Sequence, residues 1–410
     1  MGIFPFPAAN LLLPTVASDH AEALAALMVG DLDTELPPEW EFFRDAARGD
    51  SASAIRRLQA RTDASEVSSL ISSFNLFVLK PSLRSYRELC QSLNGELREL
   101  LDVAAYVTGV VDSVPIDFSI DGEIAGLALA TSAAAELERD ATKNAQRLLR
   151  DAFSAAKDSS PILAATLLSQ LADIAAALPG VPSDIVIKDY EEAIRLADKC
   201  KLPLLFSELH IKLAMLLQNT ADGRRGRLLQ AVNSYQAALQ SGVTEEGHPE
   251  LFAQIQNNLG LAYLSMPSNG ASDQLRNGIA VQSFRHALKV YRPDKHPVMW
   301  ASVSMNLANA LQYAPSSHPE ENLIQAVKTY DEVLQVRSRE QDPVAYAMVL
   351  LNQANALAHL GIFKPALEKL AESYKLFQWY EQHPQADAAR ELVEQINQKI
   401  GERSDWVLHV

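Results

Sequence analysis

The stretches HPELFAQIQNNLGLAY (His248–Tyr263) and HPVMWASVSMNLANAL (His296–Leu311) place Pro, an aromatic residue and Asn at the same offsets, 48 residues apart. Prolines at 203, 249, 297 and 343 open four such blocks, with spacings of 46, 48 and 46. A fixed period of this kind decides a fold, because each copy is one supersecondary unit. Counting from each Pro, an aromatic stands at +3 (Phe206, Phe252, Trp300, Tyr346) and an aliphatic residue at +6 (Leu209, Ile255, Val303, Val349). Apolar residues recur at +10 (Leu213, Leu259, Leu307, with Gln353 breaking the column) and at +14 (Leu217, Tyr263, Leu311, Leu357). Steps of three, four and seven make one stripe of an α-helix. At +11 every block has a small residue, Ala214, Gly260, Ala308 or Ala354, which admits a second helix at close range. The Pro suits the first helical turn, where an N–H has no intrahelical partner to lose.

Each block runs on into a second amphipathic helix spaced Ala-x3-aromatic-x2-small: Ala231, Tyr235, Ala238; Ala280, Phe284, Ala287; and Ala326, Tyr330 with Val333 in the third slot. The fourth copy keeps Ala366 and puts Leu370 in the aromatic slot. A helix pair that repeats in this way is a solenoid. Leu259, Gly260, Tyr263, Ala280, Phe284 and Ala287 match the tetratricopeptide repeat, and the stretch from Pro203 to Pro384 resembles that family. The resemblance implies a right-handed α-solenoid of helix-turn-helix repeats. The repeats depart from the family's usual 34 residues by insertions between the helices, as in SMPSNGASDQLRNG; in length and in their Asn content they look more like the kinesin light chain type.

Upstream, PILAATLLSQLADIAAAL from Pro161 repeats the aliphatic stripe (Leu167, Leu171) and the small residue (Ala172), with SDIVIKDYEEAIRLA as its second helix. The Ala-rich stretch before it reads as one more pair. Residues 18–112 are helical without the repeat register, and VVDSVPIDFSIDG is the candidate linker. The expected partition is an N-terminal helical domain or cap at 1–120, degenerate repeats at 121–202, regular repeats at 203–400 and a tail at 401–410. No run alternates long enough for a sheet, so the predicted class is all-α.

With 51 acidic against 36 basic residues, the chain carries a formal charge of −15, which repels phosphates and anionic membranes. The dense basic cluster GRRGR at Arg224 and Arg225 has no interleaved aromatics and reads as a solvated loop. Cys90 and Cys200 form no metal or disulfide framework. The apolar N-terminus lacks the basic start of a secretory signal, and no run is long enough to span a bilayer. These features predict a soluble cytoplasmic protein with no nucleic-acid or membrane partner; they leave the oligomeric state open.

No motif in the sequence carries catalysis or a cofactor, and an enzyme, whose site would have to be assembled from several helices of the N-terminal 120 residues, is the least favoured class. Four of the nine histidines (His248, His296, His318, His383) precede Pro and mark helix boundaries. No HExxH, GxSxG, P-loop or GxGxxG occurs.

The +9 column stands out: Asn258, Asn306 and Asn352 in three consecutive repeats, with Lys212 before them. Asn is a poor helix-interior residue, so three in register need a reason. Asn309 and Asn355 at +12, and Gln254 and Ser302 at +5, extend the same face. By the resemblance, this face lines the concave groove, where an Asn carboxamide can grip one peptide unit through its acceptor and donors. The alternative is that these side chains bond neighbouring helices and hold repeat to repeat. The family's carboxylate-clamping members add cations where this chain has Glu208, Gln254, Ser302 and Met348, leaving Lys212 as the single cation; an internal, extended segment suits the face better. The expected function is a non-catalytic scaffold or adaptor for a partner protein or peptide. A second class is a peptide-responsive regulator whose N-terminal domain acts on a target, a layout resembling bacterial Rap-type regulators.

Overall fold

The computed structural model describes residues 11–13, 20–28, 32–61, 66–113, 121–198, 203–267, 270–315 and 318–407. Cys200 and most of the candidate linker, residues 114–120, lie outside them. Among the described residues every regular element is helical. They are α1 (Ala21–Met28), a 3-10 turn (Pro38–Trp40), α2 (Glu41–Ala47), α3 (Ser51–Ala60), α4 (Glu66–Leu79), α5 (Leu83–Leu89), α6 (Gly95–Val107), α7 (Gly122–Glu138), α8 (Thr142–Ala156), α9 (Pro161–Ala177), α10 (Ser183–Asp198), α11 (Pro203–Asn219), α12 (Arg225–Gln240), α13 (Pro249–Leu264), α14 (Ala271–Val290), α15 (Pro297–Leu311), α16 (Pro319–Val336), α17 (Pro343–His359), α18 (Phe363–Trp379) and α19 (His383–Val407). The chain forms two compact units, Met1–Leu213 and Ala214–Val410.

In unit 1, α2 and α3 close a core around Trp40, Phe42, Phe43 and Leu58, while Phe74, Phe77, Leu100 and Leu101 build a second one from α4 and α6. The buried Asn75 carboxamide accepts from the Leu12 N–H and donates to the Leu12 C=O, both at 2.8 Å. One side-chain amide thus satisfies one backbone residue, donor and acceptor together. Helices α7 to α10 pack as two hairpins, α7 with α8 and α9 with α10. Gly126 sits where an added methyl would come within 2.9 Å of the Ala156 Cβ, so α7 and α8 approach closely.

In unit 2, the helices opened by Pro pack on their successors: α13 on α14, α15 on α16, α17 on α18. Pro occupies the first turn of α13, α15 and α17, with His248, His296 and Asp342 at the N-cap. Only Asp342 caps through its side chain, accepting from the Ala345 N–H at 2.9 Å. The +6 column is buried throughout. At +11, a Cβ on Gly260 would stand 2.7 Å from the ring of Phe284, so the small residue is dictated by the aromatic facing it.

The second helices carry the spacing that locks each pair. Tyr235, Phe284, Tyr330 and Leu370, with the small residues before and after them, are fully buried. The register continues into unit 1, as Val186–Tyr190–Ala193 on α10 and Ala145–Leu149–Ala152 on α8, all nearly or fully buried. The pattern thus runs over six second helices, two more than the spacing read from the sequence. Gln353, which breaks the +10 column, is also buried and docks on α16, donating to the Val327 C=O at 3.1 Å and to Asp331 at 2.6 Å.

Candidate functional site

The helices α9, α11, α13, α15 and α17 are the first members of the pairs, and positions +2, +5, +9 and +12 form one stripe on each. The structure shows where each side chain of that stripe goes.

Lys212 belongs to unit 1, where its ammonium donates to Asp173 at 2.8 Å and Ser169 at 3.1 Å on α9, with Glu208 at 3.5 Å. Burial pulls the Lys212 pKa down, and the Asp173 hydrogen bond and charge more than offset it, leaving a net rise. Asp173 also accepts from the Tyr190 hydroxyl. The one cation of the column is therefore committed to tying α11 to α9.

In unit 2 the amides divide into bound and unbound. Asn306 reaches from α15 to α13 and donates to Asn257 at 3.0 Å; Asn257 in turn donates to Asn258 at 3.2 Å. Asn258 hydrogen-bonds the Tyr235 hydroxyl, which itself donates to Gln218 at 3.1 Å. Asn355 donates to Gln312 at 3.0 Å, Gln312 to the Tyr330 hydroxyl at 2.9 Å, and that hydroxyl to Asn309 at 2.5 Å. Ser302 accepts from Arg337 at 2.6 Å. Burial pushes both phenols well above the usual tyrosine range, so these hydroxyls stay protonated as donors. Gln254, exposed, and Asn352, half-buried, bond no other side chain or backbone group among the described residues.

Much of the Asn ladder therefore ties first helix to first helix and first helix to second, each bond contributing about 0.5–1.5 kcal/mol net. Three participants, Asn257, Gln218 and Gln312, escaped the column reading. Gln218 and Gln312 sit at +15, opposite Tyr235 and Tyr330, so a Gln at the end of one helix paired with a Tyr on the next was the available signal.

Gln254 and Asn352 share the stripe with exposed Met215 on α11 and Met299 on α15. Positions +2, +5, +9 and +12 on α13, α15 and α17 are twelve residues, four on each of three helices, and none is charged in a chain that is 21% charged. Thioethers on such a surface adapt to varied side chains.

Among the described residues no three His, Cys, Asp or Glu side chains gather to hold a metal, and no helix is long and apolar enough to cross a membrane. Cys90 lies beside Tyr86 at the Arg98–Asp102 ion pair, where the Tyr86 hydroxyl donates to Asp102 at 2.7 Å.

These helix pairs, with a small residue on the first helix set against an aromatic on the second, are tetratricopeptide-like. No family model and no curated protein matches the sequence. Among solved structures, the chain is similar to the apo form of RapI, at 12% identity over 92% of this chain and 99% of that one, with a TM-score of 0.49. It is also similar to the Cut9–Hcn1 hetero-tetramer of APC/C, at 16% identity over 93% and 67% of the two chains and a TM-score of 0.44. Aspartyl phosphate phosphatase F from Bacillus subtilis gives 12% identity over 94% and 96%, with a TM-score of 0.42. At these identities function rests on the chain's own residues.

Proposed function

We propose that the chain is a non-catalytic interaction protein, a scaffold or adaptor that holds an extended segment of a partner protein along the first-helix face of α13, α15 and α17. The carrying observation is the uncharged stripe of twelve residues, Gln254 and Met299 exposed and the other ten half-buried, in which amides and methionines stand where a solvent-facing helix usually carries charges. A peptide backbone is uncharged and needs a donor and an acceptor at each unit, which Gln254 and Asn352 have free. Asn75 grips the backbone of Leu12 in this way within the molecule itself. Asn258, Asn306, Asn309 and Asn355 shape the face by fixing the helices that carry it.

The test is affinity capture from the native cell with wild-type chain and with Gln254→Ala/Asn352→Ala. The partner is expected to be retained by the wild type and lost with the variant while the melting temperature stays the same. Equal retention by the variant would sink the assignment.

A further inference from the structure

Residues 11–13, Leu-Leu-Leu, belong to no helix and lie against α4. Leu11 joins the core of Trp40, Phe42 and Leu58, with Leu13 packed on the same core, while Leu12 joins the core of Phe74, Phe77 and Leu100. Successive side chains thus leave on opposite sides, as they do along a peptide laid in a groove. Helix α4 is the floor between the two cores: Phe74 serves one, Leu76 the other, and Asn75 stands between them. Asn75 is 1% exposed, and its carboxamide bonds both the N–H and the C=O of Leu12. Those two bonds hold backbone whatever its sequence, and the two cores add the choice of side chain. With no backbone over it, the carboxamide would be a buried donor and acceptor without partners, a worse filling for this floor than an aliphatic side chain. An Asn at this point of an apolar core is therefore matched to a peptide, and the chain supplies one.

We infer that the face of α4 between these two cores is a peptide-binding groove for a run of three aliphatic residues, which the chain loads with its own residues 11–13. A tethered segment acts at an effective concentration on the order of millimolar, so free segments of the same kind are kept out while it stays in place. The groove opens to another aliphatic segment when residues 11–13 leave it. It is built within unit 1, whereas the uncharged face belongs to unit 2, so neither reading depends on the other.

The test is fluorescence anisotropy with a dye-labelled peptide of residues 8–17, AANLLLPTVA, added to the full chain. The full-length variant Leu11→Ser/Leu12→Ser, whose own segment no longer fits, is expected to bind the peptide at least about ten-fold more tightly than the wild type. The peptide carrying Leu12→Ser is expected to bind that variant about ten-fold more weakly than the unaltered peptide, and so is the peptide methylated on the Leu12 nitrogen, which cannot donate to Asn75. Equal binding by wild type and folded variant, or equal binding of the three peptides, overturns the proposal. Should the variant fail to fold alone, saturating peptide is expected to restore its helical circular dichroism, and a chain that stays unfolded with the peptide present overturns the proposal equally.

Discussion

Leu149 in unit 1 and Tyr330 in unit 2 hold the same place in their helix pairs and differ in what they bond. Tyr330 fills its slot and spends its hydroxyl on Asn309 and Gln312, and Asn355 joins the chain from the next repeat. Leu149 fills its slot with an aliphatic side chain, buried like the ring, and has no hydroxyl to spend on a neighbouring helix. Leu370 on α18 holds the same slot and is likewise fully buried, so the array keeps its period whether a ring or an aliphatic side chain fills the slot, and a tyrosine there adds a polar tie to the first helix.

The largest expected effect comes from importing the unit 1 arrangement into unit 2. Tyr330→Leu removes a fully buried ring and strands Asn309 and Gln312, at a cost of about 2–4 kcal/mol. Chemical denaturation read by circular dichroism measures it; an unchanged midpoint would mean that the two slots are energetically alike.

Next comes the contact that the aromatic slot demands across the pair. Gly260→Leu drives a side chain into the Phe284 ring, which a Cβ alone already meets at 2.7 Å, and should cost about 1–3 kcal/mol. Combining it with Phe284→Leu should recover part of the loss, because the smaller side chain at 284 leaves room for the one added at 260; a fully additive double variant would separate Gly260 from its ring.

How much of this was legible in the sequence follows from the same contrast. The period, the +6 column and the aromatic slots from Tyr235 to Tyr330 could be read because local spacing alone sets them, and their burial agrees. The continuation through Tyr190 and Leu149 was legible only as two degenerate pairs, because α9 lacks the +3 aromatic, α7 lacks the opening Pro and α8 lacks the aromatic of its slot. The fate of the Asn column was beyond reach for another reason. Whether Asn306 faces a partner or Asn257, 49 positions away in sequence, depends on how two first helices cross, and no residue pattern within either helix encodes that.

A smaller effect separates the bound amides from the free ones. Asn306→Ala should lose about 0.5–1.5 kcal/mol, since its tie to Asn257 goes while Ala gains helix propensity. Gln254→Ala, exposed and unbonded, should stay within about 0.5 kcal/mol of wild type. Equal costs for the two would erase the division of the stripe into ties and free groups.

The smallest expected effect is a pH dependence in α11 of unit 1, where His210 lies edge-on to Phe206 at 4.4 Å and its Nδ1 is buried without a partner. Burial holds the folded pKa of His210 below its ordinary value. In the unfolded chain the ring titrates near 6.5, so as pH falls through that value the unfolded state takes up a proton that the folded state resists. Stability is therefore full above about pH 6.5 and declines as pH drops toward the folded pKa. His359, on α17, is pulled down by burial and then by Lys399, with the same sign. Replacing His210 by Asn should remove its share, so the melting temperature of the wild type should fall more than that of His210→Asn between pH 7.5 and 5.5. The difference should be about one or two degrees, small because the ring is only half-buried and water screens it. Parallel melting curves for the two proteins would show that the ring is solvated in the folded state, and a wild type that gains stability on acidification relative to the variant would reverse the sign of its burial.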